Sequence, residues 1–191
     1  MNAQPTPAQP EMSLPEWLVL VLISQQPAHG FAVAQVTAAD GDIGRIWQVP
    51  KAVVYRAIGR LLEAELIAPE GTEPGLGPQR TVFAATSAGH EAARRWLTTP
   101  VEHVRQMRSE LLLKLALLDR TGDDPGSLLR AQREVLEPIA AAIEARRARS
   151  EGFDATLLAW RRSTAVAALD FLDTISPAGS AAGSTSNVIN R

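Results

Sequence analysis

Pro50-Lys51-Ala52-Val53-Val54-Tyr55-Arg56-Ala57-Ile58-Gly59-Arg60-Leu61-Leu62-Glu63-Ala64 reads as one helix. Proline suits its first turn, where the missing amide has no intrahelical partner to lose. Val54, Ala57, Ile58, Leu61 and Leu62 recur at three- and four-residue spacing and form a buried stripe. About half a turn away stand Ala52, Tyr55, Arg56, Gly59 and Glu63, with Lys51 and Arg60 at the margin. That outer face is small, aromatic and cationic, an unusual choice for plain solvent exposure. A solvated charged face is the simpler alternative.

Upstream, Ser13-Leu14-Pro15-Glu16 fits a capping box and opens a helix from Leu14 to Gln25 that is apolar nearly all round, hence buried. Pro27-Ala28-His29-Gly30 is a turn, Phe31 to Ala38 a second short helix, and Asp40 to Gly44 a loop. Downstream, extended runs at Leu66 to Pro69 and Arg80 to Ala85 flank the Pro- and Gly-rich stretch Glu70 to Gln79, giving a β-hairpin with a long tip. Thr86 caps a fourth helix reaching Leu97. Three helices followed by a two-stranded wing are the order of a winged helix-turn-helix.

The second half carries no strand signal. One helix spans Val101 to Leu118 and Thr121 to Gly126 form a loop. A long helix runs from Ser127 to Ser150 with Pro138 inside, which must kink it or force a restart. The last helix, Asp154 to Ile175, bears two apolar stripes: Leu157, Trp160, Ala168, Phe171 and Ile175, then Leu158, Ala165, Leu169 and Leu172. One stripe docks the helix on its own subunit. The second would stay wet in a monomer, so Leu157, Leu158, Trp160, Ala165, Leu169, Phe171 and Leu172 are the expected dimerisation residues. The expected organisation is mostly helical: unstructured 1–12, a winged helix-turn-helix over 13–97, a helical dimerisation and effector domain over 98–175, and an unstructured tail over 176–191.

Composition removes several classes of function. With 46% apolar and 21% charged residues among 191, the chain is an ordinary soluble type. Its net charge is −2, so it is neither a polybasic arm nor an acidic tail, and it has no cysteine for disulfides or sulfur-bound metal. The longest apolar run, Trp17 to Ile23, is far short of the roughly 20 residues needed to span a membrane, and nothing before it resembles a secretory leader. A cytoplasmic location is expected. His29, His90 and His103 are isolated, Asp40-Gly41-Asp42 lacks the later ligands of a calcium loop, and Gly75-Leu76-Gly77 precedes a strand rather than a helix. No catalytic set, metal site or cofactor is expected.

From Leu14 to Ala92 the sequence resembles the PadR family of bacterial transcriptional regulators. The resemblance rests on Pro27-Ala28-His29-Gly30-Phe31, on Trp47 and Val49 ahead of the third helix, and on Tyr55-Arg56-Ala57-Ile58 within it. It continues through Leu62-Glu63-Ala64-Glu65-Leu66-Ile67 and Thr86-Ser87-Ala88-Gly89, and Leu111-Leu112-Leu113-Lys114-Leu115 is similar to the start of the family's helical C-terminal domain. It implies a homodimeric, cytoplasmic DNA-binding repressor, less often an activator, whose C-terminal helices dimerise and often sense a ligand. Two features depart from the family. Pro50-Lys51-Ala52-Val53 replaces a Ser-Pro-Gly-Ser-like opening, and Arg80 is nearly alone as a wing cation while Glu70 and Glu73 also lie there. Through Pro100, Arg45, Lys51, Arg56, Arg60, Arg80, Arg94 and Arg95 face nine acidic residues, so binding a duplex requires the positives to be segregated in space.

On that reading Lys51 meets a phosphate near the helix start, and Tyr55 offers its hydroxyl to backbone or base edge. Ala52 and Gly59 permit close approach, Arg56 suits a bidentate guanine contact, and Arg60 and Arg80 hold phosphates. The alternatives are packing of Tyr55 against the wing and an Arg56–Glu63 ion pair. Trp96 and Trp160 read as core or interface packing, or, as the resemblance implies, as contacts for a planar aromatic effector. A winged helix that binds another protein instead of DNA is the rival function.

Overall fold

In a computed structural model that describes residues 11–73 and 79–176, three short strands and seven α-helices follow one another among the described residues. The segments expected to be unstructured at 1–10 and 177–191, and the hairpin tip at 74–78, lie outside the described residues. The chain divides into two compact units, the first ending at Ala131 and the second starting at Gln132.

The first helix, α1 (Leu14–Gln25), starts where the capping signal predicts. The Ser13 amide donates to Glu16 Oε2 at 2.7 Å, which satisfies one of the donors a helix start leaves open. Every residue from Trp17 to Ile23 is buried, because α1 forms the central rod of the first unit. Against it pack α3 (Lys51–Glu63), through Val54, Ala57, Ile58 and Leu61, and α4 (Ser87–Thr98), through Ala92, Ala93, Trp96 and Leu97. Leu62 of the expected stripe is only half-buried.

The wing differs from the expected hairpin by one strand. Ala28–His29 (β1) pairs with Arg80–Ala85 (β3), which also pairs with Ile67–Glu73 (β2), so the antiparallel sheet has the order β1-β3-β2. A two-residue strand is too short to show alternation, so the sequence reads it as turn. The β2–β3 register slips between Pro69 and Gly71. Proline cannot donate to the ladder, which is where a bulge is tolerated.

Beyond β3 the chain turns back onto α1. Thr86 caps α4 by accepting from the Gly89 amide at 3.1 Å, and its hydroxyl donates to the Glu65 carbonyl at 2.9 Å. A Cβ at Gly89 would sit 2.0 Å from the Leu66 carbonyl oxygen. Gly89→Ala therefore forces backbone to move, and a loss of about 1–3 kcal/mol in urea unfolding is the expected result. A variant as stable as the parent would contradict the close approach.

The expected single helix after Pro100 is broken into a 3-10 turn (Val104–Gln106), a π turn (Met107–Leu111) and α5 (Leu112–Asp119). A π turn holds one extra residue, so it resets the phase of the helix after it. Here it lets Met107 and Leu111 and then Leu113, Lys114 and Leu117 all face inward, a choice set by packing. Lys114 is 1% exposed at its side chain. Its ammonium donates to the Thr99 carbonyl at 2.8 Å, pairs with Glu110 at 2.9 Å and lies 4.6 Å from the centre of the Trp96 ring. Burial pulls its pKa below the ordinary lysine value, outweighing the opposite effect of Glu110.

In the second unit the latter part of α6 (Gly126–Arg147) packs with α7 (Gly152–Ile175). Arg133 pairs with Asp173, and Arg162 Nε donates to Glu144 at 2.5 Å, two links whose spacing fits antiparallel helices. The guanidiniums of Arg147 and Arg162 hold the Glu144 carboxyl below its ordinary range. Helix α6 continues through Pro138. Pro138 and Glu134 are both exposed, so the carbonyl left without a donor is open to water. No described helix is long and apolar enough to cross a membrane.

Candidate nucleic-acid interface

The start of α3 is fixed from behind. Thr37 is fully buried, and its hydroxyl donates to the carbonyls of Ala34 (3.2 Å) and Val49 (3.4 Å). The Val49 amide donates back to the Thr37 carbonyl at 3.2 Å. Pro50 brings no capping oxygen. The partial positive charge of the first turn is thus left for an outside acceptor, with the Lys51 ammonium beside it.

Lys51, Tyr55 and Arg80 gather around one ring. Lys51 Nζ lies 5.3 Å from the centre of the Phe31 ring and 5.8 Å from that of Tyr55. Arg80 Cζ lies 4.5 Å from the centre of Phe31. Tyr55 packs on Gly30, where a Cβ would come within 2.9 Å of its ring, yet it remains 47% exposed. The Tyr55 contact is therefore with the start of α2 (Gly30–Val36).

Arg56 is exposed and makes no ion pair or hydrogen bond among the described residues. Ala52 is exposed, and a Cβ at Gly59 would meet nothing within 4 Å, so this side of α3 is open. The ion pair weighed for Arg56 forms one turn later and with another partner: Arg60 Nη1 donates to Glu16 Oε1 at 3.1 Å. Glu16 is buried, whereas the Arg60 side chain is 63% exposed. Glu63 lies two turns from Arg56, whereas α1 crosses α3 close to Arg60.

Three carboxylates of the first unit are engaged away from α3. Glu73 Oε2 lies 3.6 Å from His29 Nε2, while His29 Nδ1 accepts from the Ala32 amide at 2.9 Å and caps α2. The isolated His29 thus serves as a helix cap. Asp42 pairs with Arg120 at 2.8 Å, and Glu91 with Arg94 at 2.6 Å. Lys51, Arg56 and Arg80 have no carboxylate partner among the described residues.

Trp96 and Trp160, the aromatics weighed for an effector, fall in different settings. Trp96 is 3% exposed and stacks on Trp17 at 5.6 Å with planes 8° apart. Trp160 on α7 is 71% exposed. Of the apolar positions on α7, Leu158, Ala165 and Leu172 are buried within the chain, and Leu157, Leu169 and Phe171 are half-buried. From sequence, Phe31 and Glu16 have no expected part in the interface, Glu16 being only the acid of the capping box and Phe31 the start of a helix. The antiparallel β1–β3 register explains the place of Phe31: His29 is opposite Val82, and two residues forward from His29 and two back from Val82 bring Phe31 beside Arg80.

The model of the "Transcriptional regulator PadR-like family" matches residues 19–95, from α1 to the last turn of α4. Among solved structures the chain is similar to smu.1704 from Streptococcus mutans, at 21% identity over 43% of this chain and 71% of that one, with TM-score 0.36. It is also similar to Bacillus subtilis PadR, crystallised with operator DNA, at 15% identity over 87% and 99% of the two chains, with TM-score 0.45. For smu.1604c from Streptococcus mutans the values are 14%, 85%, 98% and 0.41. A search of curated proteins finds no significant match. Residues 19–95, which fold as the winged helix-turn-helix, thus match the transcriptional regulator PadR-like family.

Proposed function

We propose that the chain is a cytoplasmic homodimeric repressor that binds an operator of two-fold symmetry and is released by a small-molecule effector. In this reading residues 13–97 bind DNA, and residues 98–175 dimerise and sense. One observation carries it: Lys51, Arg56 and Arg80 lie on α3 and β3 without carboxylate partners among the described residues, while Glu73, Glu91 and Asp42 of the same unit are paired elsewhere. Unneutralised cations on a helix that offers small residues and an open first turn suit a phosphate-lined groove.

Each residue then has a part. Lys51 and Arg80 hold phosphates, and Tyr55 reaches backbone or base edge. Ala52 lets the helix approach, and Arg56 reads a guanine through its planar fork. Arg60 contacts a phosphate by exchanging Glu16 for it. On α7, Leu157, Trp160 and Phe171 meet the second subunit, and Leu158, Ala165 and Leu172 dock the helix at home, with Leu169 at the margin. Two recognition helices then enter grooves about 34 Å apart or a multiple of that. A planar aromatic effector that reaches Trp160 acts by favouring one of two spacings of those helices.

The test is a titration against a duplex selected by the protein from a random pool, at about 50 to 200 mM salt. Lys51→Ala weakens binding to all sequences and lowers the slope of log affinity against log salt by about one. Failure of the parent to select any duplex would favour the protein-binding alternative.

A further inference from the structure

We propose that Phe31 is a positioning residue for DNA binding: its ring holds the Lys51 ammonium and the Arg80 guanidinium in place while leaving their charges free for phosphate. This inference rests on the DNA-binding reading above.

The geometry is that of one half-buried ring with two cations at its surface, Arg80 Cζ at 4.5 Å and Lys51 Nζ at 5.3 Å from its centre. The three residues come from three separate elements, α2, α3 and β3. Phe31 is therefore the point at which the wing and the reading helix are tied together on the proposed DNA side. Long cationic side chains lose rotamer freedom when they grip a phosphate. A partner that orders them beforehand removes part of that loss.

A carboxylate would order them too, but it would also cancel the charge. That is the condition of Arg60, whose guanidinium is neutralised by Glu16 at 3.1 Å. An aromatic face attracts a cation through its quadrupole and leaves the full positive charge for a second partner. The structure uses a carboxylate at Arg60 and an aromatic ring at Lys51 and Arg80. The distinction is one of function: the ring leaves Lys51 and Arg80 charged and unpaired for DNA, whereas Arg60 must first leave Glu16.

The experiment is a mutant cycle read by affinity for the selected duplex, with melting temperature measured alongside. Lys51→Ala/Arg80→Ala tests the underlying reading: unchanged affinity would overturn DNA contact at this face and the role of Phe31 with it. Given that this pair weakens binding, Phe31→Leu keeps the apolar packing and removes the ring face, and a loss of about 3- to 10-fold is expected. Phe31→Tyr restores affinity to near the parent value. In the Lys51→Ala/Arg80→Ala background Phe31→Leu has almost no further effect, because the groups it positions are gone. Equal losses from Phe31→Leu in both backgrounds, or none in the parent, would overturn the proposal. Should Phe31→Leu melt early, Phe31→Met carries the same expectations.

Discussion

Trp96→Ala is expected to destabilise the chain by about 3–5 kcal/mol, the cost of emptying a large aromatic site in a packed core. Three contributions act together. The side chain is 3% exposed, so nearly all its apolar surface returns to water on unfolding. The offset stack on Trp17, with centroids 5.6 Å apart, is lost. The Lys114 ammonium, 4.6 Å from the ring centre and already disfavoured by burial, loses one of its attractive partners. Glu110 and the Thr99 carbonyl still hold that ammonium, so the cavity dominates. Urea unfolding followed by circular dichroism measures the change. A loss below about 1 kcal/mol would show that this part of the core collapses without cost.

Arg56→Ala is expected to weaken binding to the selected duplex by about 1–3 kcal/mol, or roughly 5- to 150-fold, with little effect on an unrelated duplex. Arg56 is exposed and holds no ion pair or hydrogen bond among the described residues, so truncating it leaves no buried group unsatisfied. Its removal is expected to leave the melting temperature unchanged. Any loss of binding then reports on contact with DNA. Lys51 differs, since a point charge on phosphate affects all sequences alike.

Much of this fold is legible in the sequence because local chemistry and tertiary packing agree. The capping signal at Ser13-Leu14-Pro15-Glu16 sets the start of α1, and the stripe of Val54, Ala57, Ile58 and Leu61 sets the inner face of α3. Elements fixed by tertiary contact alone are not legible. Ala28–His29 is a strand only because β3 lies beside it. The π turn at Met107–Leu111 is a backbone adjustment for packing, and its residues read as ordinary helix. Lys114 stands alone in the apolar run Leu111 to Leu118, a signal of a buried, partnered lysine that periodicity overlooks. At the candidate interface the sequence gives the outer face of α3 but not its settings. Arg60 meets Glu16 across 44 residues, and Phe31 reaches Arg80 through the sheet, so helix spacing predicts neither.

The most direct measurement is fluorescence anisotropy of the parent and of Arg56→Ala, each against the selected duplex and a scrambled one at a single salt concentration. If α3 reads DNA, the parent prefers the selected duplex and Arg56→Ala loses most of that preference while still binding both weakly. Identical preference in the two proteins, with both folded, would contradict the assignment of α3 as the element that reads DNA.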